Sequence, residues 1–87
     1  IWTFLELDTT NGHVWQVNYS IDKSPALKIL INEMDLTKDK AAKLDRFMLM
    51  PTQNMYNFLL VDRDLGLVYQ LQWSQEADNR GLMRIIN

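Results

Sequence analysis

Apolar and polar residues alternate along two stretches of the chain, Phe4–Ser20 (FLELDTTNGHVWQVNYS) and Phe58–Ser74 (FLLVDRDLGLVYQLQWS). A period of two is that of a strand with one buried face. Turn-forming residues interrupt each stretch, Asp8-Thr-Thr-Asn-Gly12 in the first and Asp62-Arg-Asp-Leu-Gly66 in the second, so each is predicted to be a β-hairpin. Gly12 and Gly66 stand where a type I turn closes on a residue of positive φ, a conformation that glycine enters without steric cost. Asn11 or Asp64 is placed to bond the turn backbone.

The two stretches superpose at a constant offset of 54 without a gap. Phe4/Phe58, Leu5/Leu59, Asp8/Asp62, Gly12/Gly66, Val14/Val68, Gln16/Gln70 and Ser20/Ser74 are identical, and Leu7/Val61, Trp15/Tyr69, Val17/Leu71, Asn18/Gln72 and Tyr19/Trp73 are close in size and chemistry. A tandem duplication accounts for this better than chance.

Register follows from the apolar pattern, because a one-residue slip moves every side chain to the other face. A three-residue loop with a bulge pairs Leu7 with Trp15, Leu5 with Val17 and Thr3 with Tyr19. That choice gathers Leu5, Leu7, Trp15, Val17 and Tyr19 on one face, with Leu59, Val61, Tyr69, Leu71 and Trp73 in the second copy. A four-residue loop would set Leu5 beside Gln16 and scatter the apolar set, so the bulged loop is expected. The opposite face then carries Glu6, Gln16 and Asn18, with Leu60, Gln70 and Gln72 as counterparts, and also Trp2, Phe4, Val14, Tyr56, Phe58 and Val68, which implies partial cover.

Beyond the first hairpin, Asp22-Lys-Ser-Pro25 breaks the strand, since proline lacks the amide proton and fixes its backbone. Ala26–Asn32 reads as a third strand. Its counterpart is Gly81–Asn87, reached after one extra residue in the loop Gln75–Arg80, with Leu27 matching Leu82. The repeats thus span 1–32 and 46–87, joined by 33–45. In that joint Thr37 suits a helix N-cap, Asp39 favours the positive end of the helix dipole and pairs with Lys43 at i, i+4, and Ala41, Ala42 and Leu44 are good helix formers. A short helix is expected at 37–45, then a strand over Arg46–Met50 ended by Pro51. No strand equivalent to the latter precedes the first hairpin. An edge left open there invites pairing with another protomer, so self-association as a homodimer or larger assembly is expected.

Length and composition narrow the class. The 87 residues make one small domain, and 47% hydrophobic residues with three Trp argue for a folded globule. A net charge of −2 points to no polyanionic partner, nucleic acid included. Cysteine is absent, which excludes disulfides and thiolate chemistry. No apolar run reaches the roughly 20 residues of a membrane span, and no signal peptide is visible. The chain begins at Ile1, as a processed, trimmed or incompletely given product would.

The pattern aromatic-x-Phe-x-x-x-Asp-x-x-x-Gly-x-x-(Trp/Tyr)-Gln-(Val/Leu)-(Asn/Gln)-aromatic-Ser, with RF-x-L-x-PTQN ahead of the second copy, resembles short uncharacterised bacterial proteins carrying tandem copies of such a hairpin. The resemblance covers all but the central segment, and implies the repeat without implying an activity. The Asp-x-x-x-Gly-x-x-Trp core also looks like turns of β-propeller blades, though two copies cannot close a propeller.

Candidate chemistry is sparse. His13 is the only histidine, has no second His or Cys to make a zinc site or triad, and is read as a turn residue. Asp62-Arg-Asp64 faintly suggests a calcium loop, but the twelfth position from Asp62 is Trp73 rather than a bidentate Glu, so turn capping is the better reading. Glu6 with Asp8, or Asp62 with Asp64, could be an acid/base pair only if a cleft raised one pKa. Trp15, Tyr19, Tyr69 and Trp73 alternate with Leu and Val and are read as core rather than as a stacking platform. The candidate binding residues are Gln16, Asn18, Gln70 and Gln72, a repeated carboxamide set flanked by Trp2 and Tyr56 and suited to a peptide or glycan, weighed against a plain solvated strand face.

The expected architecture is mainly β with one short α-helix: two antiparallel meanders related by a pseudo-twofold and packed as a small sandwich or open barrel. The expected role is a non-enzymatic bacterial binding or assembly module using sheet faces or edges, with no catalytic residues, metal or cofactor. The alternative is a small ligand-binding barrel or enzyme with a pocket between the meanders.

Overall fold

The computed structural model describes residues 2–22, 26–38 and 41–86. The alternating stretches become strands: β1 (Trp2–Leu7), β2 (Val14–Tyr19), β3 (Leu27–Asn32), β4 (Phe47–Pro51), β5 (Asn57–Asp62), β6 (Val68–Gln72) and β7 (Gly81–Arg84). They form two antiparallel meanders, β1-β2-β3 and β4-β5-β6-β7, packed as a sandwich. The core between the sheets holds Val14 from the first, Phe47, Leu60, Tyr69 and Leu71 from the second, and Leu36 from the joint, with Leu5, Leu7, Leu49, Phe58 and Leu82 packed against them.

The helix expected at 37–45 does not form. Among the described residues the only helical turn is a 3-10 turn at Ala77–Asn79. Residues 39 and 40 lie outside the described residues, but Lys38 and Asp45 take positive φ, 61° and 64°, at either end of the segment. Thr37 does not cap a helix. It donates its N–H and hydroxyl to Asp35 Oδ1 at 2.9 and 2.6 Å, a local turn that competes with helical bonding. A segment this short has too few bonds to offset helix nucleation.

The hairpin register also differs from the expected one. Leu5 stands opposite Gln16 and Leu7 opposite Val14, and the second hairpin pairs Leu59 with Gln70 and Val61 with Val68. Both loops hold four residues. Asp8 N–H bonds the His13 carbonyl at 2.9 Å and Gly12 N–H the Asp8 carbonyl at 3.0 Å; Asp62 to Leu67 and Gly66 to Asp62 repeat this at 2.8 and 2.9 Å. Gly12 (φ 85°) and Gly66 (φ 70°) accept the positive φ that such a turn needs.

One slip of register inverts β2 in the first sheet and β5 in the second, while β1 and β6 keep their expected faces. Thr3, Leu5, Leu7, Val14, Gln16 and Asn18 turn inward, and Trp2, Phe4, Glu6, Trp15, Val17 and Tyr19 turn outward. In the second sheet Phe58, Leu60, Asp62, Tyr69 and Leu71 turn inward, and Leu59, Val61, Gln70 and Gln72 outward. Equivalent positions therefore face the interface in one meander and away from it in the other, whereas a twofold would set like faces against each other.

The third strands shift too. Lys28 pairs with Val17 as Leu82 pairs with Leu71, so Lys28 rather than Leu27 is the counterpart of Leu82 and the offset stays at 54. The strand expected over Gly81–Asn87 stops at Arg84, and Asn87 lies outside the described residues. The break at Asp22–Pro25 falls largely on residues 23–25, also outside them.

Candidate functional site

Gln16 is fully buried, 0% exposed, and Asn18 nearly so. Both belong to a network that closes the joint between the meanders. Gln16 Oε1 accepts from the Ser74 amide and from Arg80 Nε, each at 3.2 Å, while its Nε2 donates to Asn18 Oδ1 at 3.2 Å. A second set forms a ring: Thr3 Oγ1 donates to Asn18 Oδ1 (2.9 Å), Asn18 Nδ2 to Gln75 Oε1 (3.2 Å), and Gln75 Nε2 to Thr3 Oγ1 (3.2 Å). Arg80 also donates from Nε to the Ser74 carbonyl at 2.6 Å and from Nη2 to the Gln75 carbonyl at 3.1 Å. These carboxamides are structural, since a buried amide is tolerated only with its bonds made.

The expected binding set does not assemble. Gln16 and Asn18 lie between the sheets, which corrects the expectation that they face outward; Trp2 lies on the outer face of the first sheet, and Gln70 and Gln72 on that of the second. Tyr56, Gln72 and their neighbours Asn54, Asn57, Trp73 and Asn79 do meet, lining a shallow groove of about 400 Å³. The Tyr56 and Trp73 rings are 4.9 Å apart, and Trp73 Nε1 donates to the Met55 carbonyl at 2.8 Å. Gln70 Nε2 is spent on Asn57 Oδ1 at 2.7 Å.

Each carboxylate of the two candidate acid/base pairs is engaged. Glu6 pairs with Lys28 at 2.6 Å and Asp64 with Lys43 at 3.3 Å. Asp8 Oδ1 accepts from the Thr10 hydroxyl and amide at 2.6 and 3.0 Å, bonds that hold its carboxyl below the ordinary value. Asp62 is gripped at both oxygens by Arg46, Nε to Oδ1 at 2.9 Å and Nη2 to Oδ2 at 2.7 Å, with neither side chain exposed. Burial alone would raise this carboxyl, but the Arg46 bonds and the Leu65 and Asp64 amides outweigh burial and hold it low. A general acid needs the opposite shift. Both Asp62 oxygens are also committed to Arg46, which conflicts with a calcium loop.

His13 is half-buried, its ring 6.1 Å from that of Trp15 and its Nε2 without a partner among the described residues. The outer face of the first sheet is available for contact. Trp2, Phe4 and Tyr19 are 56, 50 and 40% exposed. Phe4 and Tyr19 meet edge to face at 5.8 Å, and Lys28 Nζ sits 4.5 Å over the Trp15 ring.

Arg80, Ser74, Gln75 and Arg46 were not singled out from sequence. The one available signal was Gln16 and Gln70, an amide at the same place inside an apolar run in both hairpins. Compared with protein-family models, with curated proteins and with solved structures, the chain finds no match in any of the three.

Proposed function

We propose that this chain is a tandem-repeat, non-enzymatic binding or assembly module that works through its sheet faces, chiefly the outer face of the first sheet. The observation that carries this reading is the row Trp2, Phe4, Tyr19 and Trp15 on one side of a hydrogen-bonded sheet. Clustered aromatics on a rigid surface supply apolar area at low entropic cost, and contiguous apolar patches mark contact sites. The edge of β1, which has no strand beside it among the described residues, is a second surface through which the module self-associates. Against a ligand pocket between the meanders stands the separation of Gln16, locked in the interface, from Gln70 on the far side of the second sheet.

A photo-cross-linking residue in place of Tyr19 tests the reading, with the same residue in place of exposed Thr52 as control. Adducts from position 19 and none from position 52, in concentrated pure protein or in a lysate of the source cells, are expected. Equal yields at the two positions, or none at either, would overturn it.

A further inference from the structure

Inside the chain one meander already docks on the other. The first sheet receives through Thr3, Leu5, Leu7, Val14, Gln16 and Asn18, and the second inserts Phe58, Leu60, Tyr69, Leu71 and Leu82. At the offset of 54, the receiving residues recur as Asn57, Leu59, Val61, Val68, Gln70 and Gln72. All six lie on the outer face of the second sheet. The inserting residues recur as Phe4, Glu6, Trp15, Val17 and Lys28, on the outer face of the first sheet. Each of the two outer faces is therefore a version of one half of the internal interface.

Resting on the assembly reading above, we infer that the partner of these faces is a second copy of this chain, docked head to tail, its first-sheet outer face on the second-sheet outer face of its neighbour. The receiving face keeps its chemistry position by position, including the amide that takes the Ser74 N–H in the internal joint. Gln70 is the counterpart of Gln16 and Ser20 that of Ser74, so the Ser20 N–H of one copy serves the Gln70 carboxamide of the next. A like-on-like contact between two second-sheet faces has no such template and sets amide against amide.

The inserting face is adapted for reversibility. Where the internal interface has Leu60 and Leu82, the outer face has Glu6 and Lys28, which neutralise each other at 2.6 Å. Desolvating this pair weakens the contact relative to the internal one. A head-to-tail contact is heterologous, so assembly either continues with concentration or closes as a ring.

Light scattering and sedimentation of the full chain up to about 100 µM, a range suited to weak contacts, test the inference. Wild type is expected to grow in mass with concentration, and Glu6→Leu/Lys28→Leu to associate about tenfold more tightly, as replacement of a desolvated ion pair by apolar groups allows. Phe4→Lys and Leu59→Lys, checked for retained strand content, are each expected to be monomeric alone. Mixed in equal amounts they form a dimer and nothing larger, because each supplies the intact face the other lacks. Val17→Lys and Gln70→Lys replace them if either fails to fold. A wild type and Leu double variant both monomeric at that concentration, self-association of Phe4→Lys alone, or a mixture that stays monomeric would overturn the head-to-tail contact. A Tyr19 adduct only with a different protein would also overturn it while leaving the binding reading standing.

Discussion

Gln16 and Gln70 hold the same place in the two meanders, yet Gln16 is 0% exposed between the sheets while Gln70 lies in solvent on the outside of the second. The difference follows from which face each meander turns inward, and it fixes what each amide is bonded to. Gln16 satisfies Ser74, Arg80 and Asn18, whereas the Gln70 side chain bonds, among the described residues, only the neighbouring Asn57.

Truncating the two glutamines should therefore have unequal effects. Gln16→Ala orphans the Ser74 amide and one Arg80 contact inside the joint and is expected to cost about 2–3 kcal/mol, the usual penalty for buried groups left unpaired. Gln70→Ala should fall within about 0.5 kcal/mol of wild type in the monomer, as at most surface sites. Urea unfolding of both variants at low protein concentration measures this, and similar small losses for the two would refute the buried network.

Strand positions were legible because alternation is a local signal, and the strand ahead of the second hairpin, β4, followed from RFMLM and its terminating proline. The face each strand buries was not. Leu5, Leu7, Trp15, Val17 and Tyr19 make the more apolar set in the first hairpin, yet Val14, Gln16 and Asn18 are the residues of β2 that are buried. What makes that affordable is Arg80, Ser74 and Gln75, some sixty positions away in sequence, and no local pattern announces a partner at that distance. Gly12 fits a bulged three-residue loop as well as a four-residue one, so the turn chemistry could not settle the register either. The joint misled for a related reason: its helix formers are real, but Leu36 and Arg46 are drawn into contacts that fix the chain in turns.

Asp62 gives the stability a defined pH response. The Arg46 bonds and the Leu65 and Asp64 amides hold its carboxyl below the ordinary aspartate range in the folded chain, so the unfolded chain binds protons first as pH falls. The contribution is thus complete above the unfolded value and is lost as pH drops through the lower folded one. Asp8 and Asp35, lowered by the Thr10 and Thr37 bonds, act in the same direction. Unfolding free energy should be flat near neutrality and fall below about pH 4. Asp62→Asn should be less stable at pH 7 and show a shallower acid limb. An acid limb as steep as that of wild type would show that Asp62 is not held low.

Tyr69 packs in the core, 4% exposed, with no hydrogen-bond partner for its hydroxyl among the described residues. Removing an unpaired buried hydroxyl takes away a desolvation cost and leaves the ring packing in place. Tyr69→Phe is expected to be neutral or stabilising by up to about 1 kcal/mol, read as an unchanged or raised midpoint in thermal melts. A loss of more than that would mean that the hydroxyl has a partner.

The two loop glycines separate conformation from contact. Both take positive φ, so alanine at either should cost about 1–2 kcal/mol from backbone strain. Around Gly66 a Cβ would meet nothing within 4 Å, whereas at Gly12 it would stand 2.7 Å from Leu36 Cδ1 and 3.1 Å from Leu36 Cβ. Leu36 is held over that turn by its own N–H, bonded to the Asn11 carbonyl at 2.8 Å, and nearby the Phe47 N–H bonds the Thr9 carbonyl at 2.9 Å. Gly12→Ala should accordingly destabilise by clearly more than Gly66→Ala. Leu36→Ala alone should cost about 2–5 kcal/mol as a core truncation, but in the double variant Gly12→Ala/Leu36→Ala the two closest approaches, to Cδ1 and Cγ, are removed and only the 3.1 Å approach to Cβ remains. The two losses should then sum to less than additivity requires, by about 0.5 kcal/mol or more. Additive losses, or equal costs at Gly12 and Gly66, would mean that Leu36 does not clamp the first turn and that the joint is held to the first meander in some other way.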